Sequence, residues 1–103
     1  MRVCIMRLPE PTIDWDIWMP VLAPSLELLR SYRAGSIPWE SFAQRFHVEA
    51  IQDGAQHVQL LVDMCQNRTI TILCAEEMPA QCHRRLVAEA CQRLRPDLPV
   101  VIL

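Results

Sequence analysis

The run RTITILCA, residues 68–75, constrains the fold more than any other stretch of this chain. An almost unbroken series of β-branched and apolar residues is what a strand buried on both faces looks like, and such strands belong to parallel sheets covered by helices. The next segment, PAQCHRRLVAEACQRLR, takes up helical period through Leu86, Val87, Ala90 and Leu94, and the closing LPVVIL reads as a further strand. The last third is therefore a β-α-β unit. With so little chain between its strands, a parallel, right-handed crossover is expected.

The upstream two thirds supply the cover. RVCIMRL is short, apolar and bounded by proline, which suits a first strand, and the stretch from Pro9 to Pro24, carrying Trp15 and Trp18, reads as irregular or as a short helical turn. LAPSLELLRSYRAG sets Leu22, Leu26 and Leu29 at helical spacing and stops at Gly35. SIPWESFAQRFHVEAIQDG opens on a Ser36 to Pro38 cap signal and aligns Trp39, Phe42, Ala43, Phe46 and Ala50 on one face. DGAQHVQLLVDMCQN offers Asp53 as cap, with Val58, Leu61, Val62 and Cys65 as its inner stripe. The expected architecture is one α/β domain over residues 1–103, of two or three layers. A short parallel sheet of about three strands is covered by about four helices and ends in the β-α-β unit.

Composition narrows the function. A chain of 103 residues that is 51% apolar suits a single compact domain, and one small enough that a homodimer is compatible with it. No run is long enough to span a membrane, and Pro9 and Pro11 interrupt the N-terminal segment before a signal-peptide core forms, so a soluble, unprocessed protein is expected. A net charge of −2 argues against the broad basic face that non-specific nucleic-acid binding requires. All ten basic residues are arginine. Codon bias explains that blandly; recognition of anions by planar guanidinium forks explains it functionally. The five cysteines are an odd number, and four fall on segments that read as regular, core-facing structure, the pattern of free thiols in a reducing cytoplasm.

Chemistry concentrates in ILCAEEMPAQCHRR, from Ile72 to Arg85. In open parallel sheets ligands collect beyond the carboxyl ends of the strands, where helix N-termini also point. Helix phase turns Cys82 and His83 toward the sheet, within approach of Cys74, and leaves Arg84 and Arg85 on the flanks. Two arginines in a first helical turn oppose the helix dipole. Either local pairs with Glu76, Glu77 or Glu89 offset that, or an anionic ligand does. Cys82 at the helix start can be a thiolate nucleophile, His83 a general acid or base and Glu76 a proton carrier; the plain alternative is a buried thiol, a structural imidazole and a solvated carboxylate. Zinc on Cys74, Cys82 and His83 would support metal-dependent hydrolysis, but the spacing lacks a C-x-x-C or H-x-x-x-H interval and neighbouring Cys82 and His83 would diverge on a helix, so no metal and no cofactor is assigned. With Gly35 and Gly54 the only glycines, a Walker-type phosphate loop is excluded.

TITILCAEEMPAQCHRRLVAEA resembles the signature of domain-of-unknown-function family 488, in which a strand ending in Leu-Cys is followed by an acidic residue, a proline and Cys-His-Arg opening a helix. LAPSLELLRSY and WESFAQRFHVE are similar to two further stretches of its YeaO-like branch. The resemblance spans about Leu22 to Glu89 and implies a cytoplasmic prokaryotic or viral α/β domain. It marks Cys74, Glu76, Pro79, Cys82, His83 and Arg84 at the signature, and Ser25, Arg45 and Glu49 at the helical blocks, without assigning them roles. Family members usually carry a second strand with an Asp-Arg pair and a Trp-Pro-Arg-Gly-like segment; here the shorter RLPEPTIDWDIWMP stands in that place.

Two functions are compatible with these features. One is a crevice in which Cys74, Arg84 and Arg85 bind a phosphate-bearing or carboxylate small molecule and Cys82, His83 and Glu76 act on it. The other is a non-catalytic interaction or regulatory protein that keeps the scaffold and uses surfaces such as Trp15 and Trp18, unless those rings fold under as core. Whether the protein is an enzyme is left open by the residues alone.

Overall fold

The computed structural model describes residues 1–9, 11–66, 68–74 and 82–99. Its sheet is parallel throughout. Strand β1 (Arg2–Cys4) lies between β2 (Ile17–Trp18) and β3 (Thr71–Leu73), with Val3 opposite both Ile17 and Ile72. Backbone bonds extend the ladder past the strand ends, from Ile5 N–H to Leu73 O at 3.1 Å and from Met19 N–H to Cys4 O at 2.8 Å.

Two strand expectations change. The Pro9 to Pro24 stretch is not merely irregular, because Ile17 and Trp18 pair with β1; Asp16 secures this edge, its carboxylate accepting from Arg2 N–H at 2.7 Å and its own N–H donating to Arg2 O at 2.8 Å. RTITILCA contributes the strand Thr71–Leu73, which among the described residues is an edge strand rather than a doubly covered one, with Thr71 exposed and Ile72 and Leu73 half-buried. The doubly covered strand is β1, whose Val3 and Cys4 are fully buried. Composition makes a strand, but its place in the order depends on which chains pair with it. The expected closing strand, LPVVIL, falls largely outside the described residues; its first residue, Leu98, packs half-buried against the core.

Among the described residues four α-helices cover the sheet. α1 (Leu26–Arg33) starts at Ser25, whose hydroxyl accepts from Leu28 N–H at 3.2 Å, while Leu22 sits in a 3-10 turn, Pro20–Leu22. Leu28 and Leu29 are its buried residues, and it ends as expected at Gly35, whose φ of 76° suits a residue without Cβ. α2 (Trp39–Phe46) starts after Pro38, at the end of the expected Ser36 to Pro38 signal and without a side-chain cap bond, and buries Phe42 and Phe46; it runs on as a π-helical segment, His47–Gln52, that brings Ala50 inward. α3 (Ala55–Met64) starts from Gly54, and Asp53 does not cap it. Its Val58, Leu61 and Val62 are buried as expected. α4 (His83–Leu94) buries Val87, Ala90 and Cys91, with Cys91 taking the inner position expected for Leu94, which is exposed.

Burial of side chains such as Ile5, Phe46, Leu61 and Val87, each contributing about 1.5–3 kcal/mol, holds the helices to the sheet. Among the described residues no helix is long and apolar enough to cross a membrane.

Candidate functional site

The carboxyl ends of β1 and β3 and the start of α4 converge on one cluster. Cys74 follows β3 directly, Cys82 is the N-cap of α4 in extended conformation, and His83 is its first residue. Their ligating atoms all lie within 4.8 Å of one another. Cys82 and His83 are 1% and 4% exposed, whereas Cys74 is half-buried.

His83 is held from two sides. Its ring packs on Phe46, with centroids 5.5 Å apart, and Nε2 lies 2.7 Å from the carbonyl oxygen of Ile5. Ile5 is the residue at which β1 leaves the ladder: its N–H bonds to Leu73, and its carbonyl turns to the imidazole. A carbonyl can only accept, so Nε2 carries the proton, and in the neutral ring Nδ1 is left as an acceptor. Nδ1 faces Cys74 Sγ at 3.4 Å.

Cys74 and Cys82 are paired as a disulfide, while Cys4, Cys65 and Cys91 are free. This departs from the five free thiols expected: Cys74, just past β3, and Cys82, at the start of α4, stand side by side where the two elements converge. Cleaving the pair returns two thiols in unequal settings: Cys74 beside an imidazole acceptor and partly open to solvent, Cys82 sealed within. The expectation that Cys82 and His83 diverge does not hold, since Cys82 stands outside the helix and its sulfur lies close to the His83 ring. Only the reduced pair could offer two thiolates to a metal, because ligation needs deprotonated, unbonded sulfur.

The other expected residues are less central. Arg85 and Glu89 form an ion pair at 3.7 Å with both side chains well exposed, which is the local pairing considered from the sequence. Arg84 is half-buried, and among the described residues no contact joins it to the two sulfurs. Glu76 and Pro79 lie outside the described residues. At the helical blocks Ser25 and Glu49 meet, the carboxylate accepting from Ser25 N–H at 3.0 Å and from its hydroxyl at 2.9 Å, so these residues anchor α1.

Sequence reasoning passed over Arg7. It follows β1, donates from Nε to Pro24 O at 2.9 Å and from Nη2 to Ala23 O at 3.3 Å, and shares a small hollow with His83. Its position just past a parallel strand was the available signal. Trp15 and Trp18 are 41% and 42% exposed with ring centroids 6.4 Å apart, so they are not the core residues that one reading allowed; Trp18 Nε1–H donates to Met6 O at 2.8 Å. A wider, mostly apolar groove of about 460 Å³, lined by Ala43, Val48, Ile51, Leu86 and Arg93 among others, shares no residue with the hollow.

A parallel α/β scaffold with a cysteine, cysteine and histidine cluster at its strand ends defines the class: a small domain whose chemistry-bearing groups sit where ligands enter such folds. The chain belongs to the DUF488 family, matching over residues 2–94 the model described as the active DUF488-N3 subclade, DUF488-N3a. The match takes in the N-terminal segment that resemblance alone marked as shortened. No curated protein and no solved structure matches the chain.

Proposed function

We propose that this protein is a thiol-dependent catalyst acting on a small anionic molecule, phosphate- or carboxylate-bearing, held beyond the carboxyl ends of β1 and β3. The observation that carries the reading is the orientation of His83. With Nε2–H committed to Ile5 O, Nδ1 is aimed at Cys74 Sγ and can take its proton once the disulfide is reduced. Cys74 is then the nucleophile, and the more buried Cys82 is the partner that closes the resting disulfide. This exchanges the parts expected of the two cysteines. The first turn of α4, with Arg84, adds positive potential at the crevice. The description of the matching subclade as active accords with retained chemistry.

Alkylation of the reduced protein by iodoacetamide across pH tests this. Cys74 is expected to react at pH 6–7, well below the range of an ordinary thiol, and His83→Gln to move its profile upward. Cys91, pushed up to about 11 by burial, serves as the unreactive internal reference. A Cys74 profile like that of a free thiol, unchanged by His83→Gln, would refute the reading.

The exposed Trp15 and Trp18 pair supports a second reading, an interaction surface for a partner or a second copy. Light scattering decides it against self-association: a monomer unaffected by Trp18→Ala removes the dimer form of this idea.

A further inference from the structure

Arg7 carries a charge that the described protein does not balance. Its guanidinium is half-buried, and two of its five N–H groups are spent on the carbonyls of Pro24 and Ala23. Among the described residues no carboxylate pairs with it. Carbonyl dipoles orient a guanidinium and satisfy its donors, but they leave a full positive charge in a partly desolvated place, which is costly unless an anion arrives.

The surroundings point to where that anion sits. Arg7 lines a hollow with Met6, Leu8, Pro24, Leu29, Arg33 and His83. The hollow has about 20 Å³ of free room, enough for a water or for one oxygen-bearing tip of a ligand, and not for a whole molecule. Apolar walls from Met6, Leu8, Pro24 and Leu29 stand beside the polar groups of Arg7, Arg33 and His83. Arg33, in the last turn of α1, brings a second guanidinium to the rim. The remaining wall is His83, the same ring that faces Cys74.

We propose that Arg7, with Arg33, forms the subsite that holds the oxyanion of a phosphate monoester, so that the ester-bearing part of the molecule lies across His83 toward Cys74. This rests on the thiol-based reading of the site and names the ligand chemistry it takes. Two guanidinium groups match a dianion better than a carboxylate, and planar N–H forks suit tetrahedral phosphate oxygens. The anion is thus held by arginines from the segment after β1 and from α1, rather than by Arg84 of α4.

Trp18 provides a reporter, because its indole bonds the carbonyl of Met6, the residue joined to Arg7. Titration of the reduced full-length protein with inorganic phosphate at low ionic strength, followed by tryptophan fluorescence, is expected to saturate. Acetate should bind more weakly. Arg7→Gln and Arg33→Gln should each weaken phosphate by about tenfold or more, while Arg45→Gln stays near wild type. In parallel, the rate ratio of iodoacetate to iodoacetamide at Cys74 should fall several-fold in Arg7→Gln, since only the charged reagent reads the local potential; a merely structural role would slow both reagents alike. Should Arg7→Gln lose its fold by circular dichroism, Arg33→Gln and the reagent ratio in that variant decide. Binding lost in Arg84→Gln but kept in Arg7→Gln and Arg33→Gln would place the anion at the tip of α4 and overturn the subsite. Absence of any saturable response in the wild type would overturn it as well. In both cases the pH profile of Cys74 with the neutral reagent still judges the underlying thiol reading separately.

Discussion

The imidazole of His83 and the carbonyl of Ile5, 78 residues apart in sequence, meet at 2.7 Å in the interior. That contact decides which nitrogen of the ring bears the proton and therefore which sulfur it can serve. His83→Phe keeps the packing on Phe46 but withdraws the donor from Ile5 O, and is expected to destabilise the protein by about 1–3 kcal/mol in urea unfolding. A midpoint equal to wild type would show that the bond does not order the site.

Pairing of Cys74 with Cys82 makes accessible reactivity depend on reduction. Protein purified without reductant should show a single intramolecular link joining these two residues in peptide mapping, with Cys4, Cys65 and Cys91 free. Cys82→Ser should leave Cys74 open to alkylation without any reductant. A link that instead used Cys65 or Cys91 would contradict the arrangement.

Ser25 and Glu49 join the start of α1 to the π-helical segment after α2 through two bonds, in addition to the Ser25 hydroxyl cap on Leu28 N–H. Ser25→Ala should cost about 1 kcal/mol, and Glu49→Gln a comparable or smaller amount. Because one carboxylate serves the same residue twice, the double variant should lose less than the sum of the single losses, by about 0.5 kcal/mol or more. Strict additivity would mean that the two residues act independently.

Gly54 stands where the chain passes from the π-helical segment into α3, and a Cβ there would lie 2.5 Å from the carbonyl oxygen of Ala50. Backbone must shift to admit it, so Gly54→Ala is expected to cost about 1–3 kcal/mol. Gly35 has open space around it and only its positive φ to defend, which predicts a loss of about 1 kcal/mol for Gly35→Ala. Thermal unfolding of the two variants ranks them; equal losses would contradict the crowding at Gly54.

Burial first, and then Cys65 nearby, pushes the Cys91 thiol up to about 11 from its ordinary 9.0. Between these values the unfolded chain releases the thiol proton while the folded protein keeps it, so stability falls as pH rises from about 9 to about 11. Burial also raises Cys65, against the opposing charge of Arg95, and adds loss in the same direction. Urea midpoints in this window should decline less steeply in Cys91→Ala than in wild type. An unchanged slope would assign the alkaline loss to other groups.

The sequence by itself determined what depends on neighbours a few residues apart. The inner faces of α2 and α3 follow from apolar residues at helical spacing, the stop at Gly35 follows from its lack of Cβ, and the β-branched run before Cys74 makes β3 a strand. The approach of Cys74, Cys82 and His83 to one another followed as well, because a strand leading into a helix in a parallel sheet brings the strand's end and the helix's start together. Tertiary structure alone decided that β1 is the central strand, that Ile17 and Trp18 pair with it, and that Cys74 rather than Cys82 faces the imidazole acceptor. It also brought Ile5 O to His83 and Arg7 to the same hollow. Periodicity records which face of an element turns inward, but not which distant backbone group waits there. A proton on Nε2 is settled only when chain segments far apart in sequence pack together.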